Sequence, residues 1–392
     1  MMPELPQTMK AMLLRRPRAA GARPLETAEL PVPQPGPGEV LLRVRACGIC
    51  HTDLHTVEGE LPPHRSPVVP GHQIVAEVVA FGFGAADVPA GGDPLAAPLH
   101  LGERVGVPWL HRACGHCSYC LSGRENLCDD ARFTGYDVDG GYAEYTVAPA
   151  AFAYRLPDMP DLDVAPLLCA GIIGYRCLRL AGVLGQSLPN ASPASADLPD
   201  AGLPGAGSSA ANPAGANPAG AGPRLLGLFG FGAAAHICLQ IARHLHWEVA
   251  VYTRGAEHRR LALELGATWA GPAGESPRPA TSTPPLDAAI IFAPAGDLVI
   301  DALKALRKGG IVALGGIYSS PIPSIDYPLI YNERVVRSVA NSTRADAREL
   351  LALAPQVPVR TEVQVFPLEQ ANEALLALKE SRIRGAAVLQ VG

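Results

Sequence analysis

The spacing of hydrophobic and polar residues divides the chain into two regions of different character. Between residues 40 and 150, short apolar runs are separated by glycine and proline; they include VLLRVRACGI, QIVAEVVAFG, ERVGVPW and YAEYTVAP. Such runs predict a mostly β body with loops. From residue 165 onward, APLLCAGIIGYRCLRLAG carries apolar residues at helical spacing, which predicts a helix instead.

Strand-like and helix-like segments alternate after residue 223. The predicted strands are RLLGLFGF, WEVAVYT, LDAAIIFAP and IVALGGI, and the predicted helices are AAAHICLQIARHL, EHRRLALELGA and DLVIDALKALRKGG. Repeated βα units predict a parallel sheet covered by helices on both faces. The tail beyond residue 322 returns to mixed elements, with helices near 345–354 and 367–380 and a last strand, AAVLQV.

Two segments lack any such pattern. Residues 186–223 consist almost wholly of proline, alanine, glycine, serine and asparagine. This composition offers too little apolar area to offset the entropy lost on ordering, so we expect a disordered surface insertion. A spacer that contacts a partner is the alternative. Residues 84–100 have a similar composition, and we expect them to behave in the same way.

Composition and charge exclude several classes of protein. The 392 residues are 48% hydrophobic and 18% charged, with a net charge of −5, which suits about two globular domains. Lysine and arginine are scattered along the sequence, so no basic cluster indicates a surface for nucleic acid or a membrane. Glycine, His236 and Gln240 interrupt the longest apolar stretch, residues 225–241, and a membrane-spanning helix needs about 20 apolar residues. With no signal peptide at the N-terminus, we expect a cytoplasmic protein.

Four of the nine cysteines lie close together in CGHCSYCLSGRENLC, with the spacing C-x2-C-x2-C-x7-C. Four thiolates can surround one zinc ion and leave no open position, which is the arrangement of a structural site. The alternatives are free thiols, an iron–sulfur cluster or a nucleic-acid zinc ribbon, although a ribbon would need a basic patch. The residues are Cys114, Cys117, Cys120 and Cys128.

A second group of polar residues follows a predicted strand in CGICHTDLH: Cys50, His51, Thr52, Asp53 and His55. Dense polar residues at a strand end indicate either a functional site or a polar turn. Further along, GHQIVAEVV places His72 before a strand, and LLCAG places Cys169 before a helix. If Cys50, His72 and Cys169 converge, they offer zinc two thiolates and one imidazole and leave one position open, as in a catalytic site. Such an ion lowers the pKa of a bound alcohol.

The sequence LFGFGAAAH contains a G-x-G-x-x-A pattern that follows a predicted strand and opens a predicted helix, as a dinucleotide-binding turn does. We assign to this cofactor site Gly230, Phe231, Gly232, Ala233 and Ala234, together with Gly315 of the later predicted strand IVALGGI. The next strand ends at Thr253 and Arg254, where an NAD site has an acidic residue. A hydroxyl beside a guanidinium favours NADP(H) over NAD(H), unless Arg254 is only an exposed loop residue.

Five motifs together resemble those of the zinc-dependent alcohol dehydrogenases of the medium-chain dehydrogenase/reductase superfamily. They are, in chain order, CGICHTDLH, PGHQIVAEVV, CGHCSYCLSGRENLC, GYAEY and LLCAGIIGY. The resemblance implies a GroES-like, mostly β catalytic domain formed by residues 1–165 and 322–392. It also implies a Rossmann domain with a doubly wound parallel sheet formed by residues 166–321. Two zinc ions per chain, a small alcohol or aldehyde substrate and a homodimer or homotetramer are further implications, with no nucleic-acid or membrane partner.

The resemblance also implies roles for single residues. Cys50, His72 and Cys169 match the catalytic zinc ligands. Thr52 matches the hydroxyl that takes the proton of the alcohol, and His55 matches the solvent end of that proton path. Asp53 matches the carboxylate that orients the histidine ligand. His51 matches a contact to the cofactor pyrophosphate, and Trp109 matches an aromatic residue of the substrate pocket.

Three positions depart from the family pattern. Gln73 stands where the family usually has glutamate, Ala386 stands where many relatives have an arginine, and Ile173 stands where threonine is common. We predict an NADP(H)-preferring enzyme that interconverts alcohols with aldehydes or ketones. The alternatives are a zinc-independent quinone or enoyl reductase of the same superfamily and a cofactor-sensing protein that keeps only structural zinc.

Overall fold

A computed structural model describes residues 5–62, 64–185, 224–275, 285–357 and 359–392. The insertion predicted at 186–223 lies outside the described residues. None of the helices in these ranges has the length and apolar character needed to cross a membrane.

The described residues form strands in both halves of the chain. They are β1 (Thr8–Leu14), β2 (Leu25–Pro31), β3 (Glu39–Ile49), β4 (Gln73–Phe81), β5 (Arg104–Val107), β6 (Leu110–Arg112), β7 (Arg132–Phe133), β8 (Tyr145–Pro149), β9 (Tyr154–Arg155), β10 (Leu225–Phe229), β11 (Glu248–Tyr252), β12 (Trp269–Gly271), β13 (Leu286–Ile291), β14 (Leu306–Leu314), β15 (Val335–Ser338), β16 (Val363–Pro367) and β17 (Ala386–Gln390).

The helices of the same ranges lie mainly in the second half. They are α1 (His51–Glu58), α2 (Ser118–Leu121), α3 (Asp161–Val164), α4 (Ala170–Leu180), α5 (Ala233–His244), α6 (Ala256–Glu264), α7 (Leu298–Ala305), α8 (Tyr327–Ile330), α9 (Arg344–Leu353) and α10 (Ala371–Lys379). The two helices predicted in the tail correspond to α9 and α10. The predicted helix DLVIDALKALRKGG is shorter than expected, because the backbone is extended at Leu306 and β14 begins there.

The N-terminal half is built on a seven-stranded sheet with the order β16-β17-β3-β4-β5-β9, in which β8 also pairs with β3. Strands β3 and β4 are antiparallel, and Gly48 lies opposite Gln73. The residues just beyond the end of β3 therefore lie beside those just before β4. This register places Cys50 next to His72, although the two residues are distant in sequence.

The second half contains the parallel sheet that the βα alternation predicts. Its six strands have the order β12-β11-β10-β13-β14-β15, and every neighbouring pair is parallel. The strand order reverses beside β10, and ligands of such sheets bind at the carboxyl ends of the strands at this point. The predicted fold class, a mostly β domain joined to a doubly wound α/β domain, is confirmed.

The connection between the two sheets bears on the predicted domain limits. Strand β15 belongs to the parallel sheet, whereas β16 and β17 join the sheet of the N-terminal half. This sheet membership favours a return to the first domain after residue 338, later than the predicted limit at residue 322. The limits themselves stay a prediction.

The segment before and within α4 packs against both halves. Leu167, Leu168, Ile172 and Tyr175 are fully buried in a core that also contains residues of the two large sheets. Burial of this segment fixes the position of Cys169, which is the N-cap residue of α4.

Residues 84–100 are ordered, contrary to expectation. Arg155 donates hydrogen bonds to the carbonyl oxygens of Ala97, at 2.8 Å, and Pro98, at 2.7 Å. Arg348 donates another to the carbonyl oxygen of Gly91, at 3.0 Å. Guanidinium groups of two neighbouring elements therefore hold this loop through its backbone, which composition does not reveal.

Candidate functional site

Three predicted ligands converge at the junction of the two halves. The ligand atoms of Cys50, His72 and Cys169 all lie within 4.8 Å of one another. The antiparallel pair β3 and β4 delivers Cys50 and His72, and the N-terminus of α4 delivers Cys169. The polar-turn interpretation of CGICHTDLH does not account for this convergence.

The distances within this group fit one zinc ion. Zinc bonds of about 2.0 Å to nitrogen and 2.3 Å to sulfur, arranged tetrahedrally, place the two donor atoms about 3.5 Å apart. The Sγ atom of Cys50 lies 3.3 Å from Nε2 of His72. Two thiolates and an imidazole suit zinc chemically, and three ligands leave a fourth position for substrate or water. The residues present therefore fit the metal.

Local structure favours the thiolate form of Cys50. This residue is the N-cap of α1, and the backbone N–H of Thr52 donates a hydrogen bond to its Sγ atom at 3.3 Å. The neighbouring Cys169 thiol, together with the charge on His72, holds the pKa of Cys50 well below its usual value, although burial opposes this shift. The contact with Cys50, together with burial, raises the pKa of Cys169 well above its usual value, so this thiol gives up its proton only when a metal binds.

Asp53 connects two of the three ligands. Its Oδ1 atom lies 3.1 Å from Nδ1 of His72, at an angle that is poor for a hydrogen bond, and its Oδ2 atom accepts one from the backbone N–H of Cys50 at 2.9 Å. Asp53 and His72 are both buried. Burial lowers the pKa of His72, but the charges of Asp53 and Cys50 outweigh it and raise that pKa to about 10. Zinc would displace this proton from Nε2 on binding.

Thr52 and His55 lie one turn apart on α1, so their side chains share a face of the helix. His55 is buried, and the centroid of its ring lies 5.4 Å from that of Tyr318, which follows β14. His51 is exposed at the start of the helix, 6.1 Å from the ring of His55. The helix therefore presents the predicted proton-path residues towards the parallel-sheet half of the molecule.

An aromatic wall stands beside the histidine ligand. The ring of Trp109 meets the ring of His72 edge-on, with centroids 4.8 Å apart. Trp109 stacks on Phe133 at 5.1 Å and is tilted towards Tyr136 at 5.6 Å. Sequence analysis missed Phe133 and Tyr136, although the segment RFTGY, which begins four residues after the fourth cysteine, carries both. An apolar wall of this kind suits the hydrocarbon part of a substrate.

Gln73, the departure from the family pattern, has a structural environment of its own. Its side chain is 2% exposed and crosses over Gly48 on the neighbouring strand. A Cβ atom at residue 48 would lie 2.9 Å from Cδ of Gln73, so the glycine makes room for the amide.

The four-cysteine cluster forms a second candidate metal site. Its sulfur atoms lie within 4.8 Å of one another, and Cys120 Sγ stands 3.8 Å from Cys114 Sγ and 3.6 Å from Cys117 Sγ. Tetrahedral zinc with bonds of about 2.3 Å separates its sulfur ligands by about 3.8 Å. Disulfides, with S–S bonds of about 2.05 Å, do not fit these distances. The spacing favours a single ion over the alternatives of free thiols or a multi-iron cluster.

Backbone donors support negative charge in this cluster. The N–H of Cys117 donates to Sγ of Cys114 at 3.3 Å, and the N–H of Cys114 donates to Sγ of Cys128 at 3.4 Å. Hydrogen bonds from the backbone N–H groups of His116 and Cys117 lower the pKa of Cys114 to about 6. Cys114 therefore reaches the thiolate form near neutral pH, whereas burial raises the pKa of Cys120 to about 12, so this thiol loses its proton only when a metal binds.

The cysteine loop is anchored to the segment that leads into α9. The buried carboxylate of Glu125 accepts hydrogen bonds from the backbone N–H of Arg344, at 2.9 Å, and from its Nε, at 3.2 Å. The side chain of Asn126 donates to the carbonyl oxygen of Ala340 at 2.6 Å. The loop thus reaches an element of the tail, far from it in sequence.

Helix α9 in turn holds α4, the helix that begins at Cys169. The carboxylate of Asp346 is 1% exposed and accepts hydrogen bonds from Arg176, at 2.8 Å, and Arg179, at 3.0 Å. Arg179 also pairs with Glu349. Sequence analysis missed this network, because nothing local in either segment marks the other as its partner.

The predicted dinucleotide turn has the expected form. Gly230 has a φ of +86°, and a Cβ atom there would lie 2.7 Å from the backbone nitrogen of Ala293. Gly232 is the N-cap of α5, and no other heavy atom lies within 4 Å of the place where its Cβ would stand. Packing within the protein therefore explains the glycine at residue 230, whereas the space beside Gly232 is open to a ligand. Phe231 is buried between them, and Ala233 and Ala234 begin the helix.

The end of β11 carries the residues predicted to select the cofactor. Thr253 is buried, and Arg254 is exposed. Arg259 of α6 donates hydrogen bonds to the carbonyl oxygens of Arg254, at 2.7 Å, and Thr253, at 3.3 Å, and was missed by sequence analysis. At Gly315, a Cβ atom would lie 2.7 Å from Sγ of Cys177, so packing explains this glycine and its cofactor role stays a prediction.

Comparison with known proteins agrees with this geometry. Residues 36–158 match the sequence model of the alcohol dehydrogenase GroES-like domain, and residues 234–356 match that of the zinc-binding dehydrogenases. A probable alcohol dehydrogenase of Mycobacterium tuberculosis is 44% identical over 391 residues, covering 99% of each chain. An alcohol dehydrogenase of Geobacillus stearothermophilus is 32% identical over 94% of this chain and 97% of its own.

The fold has solved counterparts as well. A cinnamyl alcohol dehydrogenase of Sorghum bicolor superposes with a TM-score of 0.78 at 24% identity, covering 98% of this chain and 97% of its own. At this identity the likeness shows the fold alone. The two relatives that are 44% and 32% identical over nearly the whole chain show the family as well. The protein belongs to the zinc-dependent alcohol dehydrogenases of the medium-chain dehydrogenase/reductase superfamily.

Proposed function

We propose that the hydride transfer of this family, between an alcohol or carbonyl compound and a nicotinamide cofactor, takes place beside Cys50, His72 and Cys169. The observation that carries the proposal is the convergence of these three ligand atoms within 4.8 Å, next to an aromatic wall and with no fourth His, Cys, Asp or Glu ligand among the described residues. A zinc-independent reductase of the same superfamily has no use for such a ligand set.

Each residue has a definite task in this proposal. Zinc, when bound, supplies a Lewis acid that lowers the pKa of the alcohol. Asp53 keeps His72 oriented so that Nε2 faces the two cysteines. Thr52 accepts the proton of the alcohol, and His55 passes it to solvent. Trp109 contacts the hydrocarbon part of the substrate and excludes water from that side.

A panel of alcohols and aldehydes assayed with both nicotinamide cofactors tests the proposal. We expect Cys50→Ala and His72→Ala to abolish turnover with every substrate. The matched control is Cys47→Ala, which removes a buried thiol from β3, the strand that leads to Cys50, but does not remove a ligand. Normal turnover in either ligand variant would refute the assignment, as would equal losses in the control.

The site residues also set the metal content. We propose two zinc ions per chain, one at Cys50, His72 and Cys169 and one at the four-cysteine cluster. Metal analysis should give two zinc ions in the wild-type protein and one in Cys50→Ser. A single zinc ion in the wild-type protein would favour the alternative of a cofactor-sensing protein that keeps only the structural metal.

We further propose a preference for NADP(H). The two residues directly after β11 are Thr253 and the exposed Arg254 rather than an acidic residue, and a hydroxyl followed by a guanidinium suits a ribose phosphate. We expect kcat/KM to favour NADPH over NADH, and Arg254→Ala to reduce that ratio. Arg260→Ala is the control, because Arg260 is an exposed arginine of α6 already paired with Glu257. A preference for NADH in the wild-type enzyme would refute this proposal.

The exposed edge of the parallel sheet supports a homodimer. Strand β15 is the last strand of that sheet, and apolar residues around it are exposed: Val335 by 43%, Tyr327 by 69% and Tyr331 by 65%. Unpaired strand edges and apolar patches of this kind favour pairing with a second copy. Sedimentation should show a dimer that Val335→Glu weakens. The control, Val365→Glu, alters an equally exposed valine at the edge of the other sheet.

A further inference from the structure

The aromatic wall beside His72 continues outward to a residue that the proposed function does not use. The centroid of the His64 ring lies 4.6 Å from that of Tyr136, and the two ring planes are tilted by 54°. Tyr136 is 5% exposed, whereas the side chain of His64 is 65% exposed. The series of rings that begins at the buried Trp109 therefore reaches the surface at His64.

A buried carboxylate holds this imidazole in place. Nδ1 of His64 lies 2.8 Å from Oδ1 of Asp137, whose side chain is only 5% exposed. The other oxygen of Asp137 accepts a hydrogen bond from the backbone N–H of Phe133 at 2.8 Å. Because a carboxylate accepts hydrogen bonds and donates none, Nδ1 of His64 carries the hydrogen in this contact, whether the ring is neutral or charged. Asp137 thus ties the imidazole to the turn that carries Phe133 and Tyr136 of the aromatic wall.

Further contacts join the same two parts of the chain. The hydroxyl of Tyr136 donates a hydrogen bond to the carbonyl oxygen of Pro62 at 2.6 Å. Asp139 accepts a hydrogen bond from the backbone N–H of Val69 at 2.9 Å, and its carboxylate pairs with Arg65 at 3.1 Å. The described residues between α1 and β4 are therefore fastened to the turn between β7 and β8 at several points, on both sides of the His64 contact.

The order of the rings indicates how this contact reaches the substrate. Trp109 meets the ring of His72, and Tyr136 is tilted against Trp109 at 5.6 Å. His64 packs against Tyr136 in turn. An alcohol whose oxygen lies beside the three metal ligands would contact Trp109 first, and only a larger hydrocarbon part would extend along the wall to Tyr136. The position of the Tyr136 ring therefore matters to large substrates more than to small ones.

We propose that His64 is a positioning residue for large substrates. Together with Asp137, it holds the ring of Tyr136 against Trp109, and the enzyme therefore favours aromatic and long-chain alcohols over short ones. The inference rests on the proposed function, because it requires that the substrate lie beside Trp109. His64 is not one of the metal ligands or proton-path residues, and its effect reaches the substrate through the ring of Tyr136.

The selectivity between a large and a small alcohol tests this role. The measured quantity is kcat/KM for benzyl alcohol divided by kcat/KM for ethanol, because a loss of folded enzyme lowers both values alike. The wild-type enzyme should favour benzyl alcohol. His64→Ala should reduce the ratio about 2- to 12-fold, the range that one aromatic pair contributes, with little change for ethanol. His64→Asn should recover part of the ratio, because its amide N–H can still donate to Asp137.

His100→Ala is the matched control. The side chain of His100 is 73% exposed, and its Nε2 lies 3.6 Å from the carboxylate of Glu103, which is 10% exposed. This pair resembles that of His64 and Asp137 in exposure and chemistry, but its imidazole is not among the rings that contact the aromatic wall. The selectivity ratio of His100→Ala should equal that of the wild type.

Fluorine NMR of protein labelled with 5-fluorotryptophan reports on the wall directly. The chain has three tryptophans, so Trp109→Phe identifies the signal of residue 109. His64→Ala should shift or broaden that signal, because the ring behind Trp109 is no longer held, and should leave the signals of Trp247 and Trp269 in place. His100→Ala should move none of the three signals.

The outcomes distinguish the inference from the function on which it rests. If the wild-type protein oxidises neither alcohol, the proposed function is wrong and the inference fails with it. If the wild type is active but prefers ethanol, or if His64→Ala keeps both the wild-type ratio and the wild-type Trp109 signal, the function stands and the role of His64 is refuted. Equal losses with both alcohols in His64→Ala would refute that role as well.

Discussion

Two glycines of the dinucleotide turn, Gly230 and Gly232, should fail in different ways when each is replaced by alanine. At Gly230 the φ of +86° costs an L-residue about 1–2 kcal/mol. A Cβ atom there would also lie 2.7 Å from the backbone nitrogen of Ala293 and 2.8 Å from its Cβ, and such overpacking typically costs about 1–3 kcal/mol. Gly230→Ala should therefore destabilise the protein by about 2–5 kcal/mol in total.

Gly232→Ala should leave stability almost unchanged. The residue has a φ of −120°, which alanine adopts readily, and no heavy atom lies within 4 Å of the added methyl group. A net change within about 1 kcal/mol is expected, because reduced freedom of the unfolded chain offsets the loss of a good N-cap residue. The methyl group would instead occupy the space that a pyrophosphate needs at the N-terminus of α5. Overpacking of about 1–3 kcal/mol there weakens cofactor binding roughly 5- to 150-fold.

Thermal unfolding without cofactor and fluorescence titration with NADPH and NADH measure the two effects separately. Gly230→Ala should lower the Tm by about 4 °C or more, since each kcal/mol shifts a domain of this size by about 2–4 °C. Gly232→Ala should keep its Tm and raise the Kd of the cofactor. Gly21→Ala is the control, because its Cβ also meets no atom within 4 Å but lies in the N-terminal half. An unchanged Kd in Gly232→Ala, or an unchanged Tm in Gly230→Ala, would refute this reasoning.

Three further predictions concern stability and metal content. In a urea titration, Asp346→Ala should lower the free energy of unfolding by about 3–5 kcal/mol, because it leaves two partly buried arginines without their shared carboxylate. The control, Glu257→Ala, breaks an exposed ion pair and should lower it by at most about 1 kcal/mol. Burial lowers the pKa of His236 to about 4, so between pH 6.5 and 4 the unfolded chain takes up a proton that the folded protein does not. The free energy of unfolding therefore decreases as the pH is lowered through this range. His236→Gln should flatten that decline by about 1.4 kcal/mol per pH unit, while exposed His244→Gln should not; equal slopes in all three proteins would contradict this. Cys128→Ser should lose one zinc ion per chain and lower the Tm, whereas Cys177→Ala, which removes a buried thiol outside both metal sites, should retain full metal content; two zinc ions in Cys128→Ser would argue against a four-cysteine site.

Features encoded within a short stretch of chain were predictable. Helical and strand periodicity predicted the alternating elements of the parallel sheet, and the G-x-G-x-x-A turn appears between β10 and α5 as expected. The four-cysteine cluster closes on itself within one loop, so its spacing alone indicated a metal site. In each case the residues that interact are near neighbours, and the sequence pattern directly constrains their geometry.

Periodicity was less informative where a local pattern competes with packing. The sequence from Leu306 to Gly310 continues a helical pattern, yet it begins β14, because Leu306 pairs with Leu286 of the adjacent strand. Residues 84–100 resemble the low-complexity insertion in composition, yet Arg155 and Arg348 hold their carbonyl groups. Neither arginine lies within the segment it orders.

The amino-acid sequence by itself determined the types of element, the candidate ligands and the family. Only the tertiary structure decided that Cys50 and Cys169 meet at His72, because their contact depends on the register of β3 against β4 and on the burial of α4 between the two halves. It also decided that Phe133 supports Trp109 and that the ring of His64 packs against that of Tyr136. A sequence pattern specifies which face of an element is apolar, but contacts between distant elements follow from how those faces pack together.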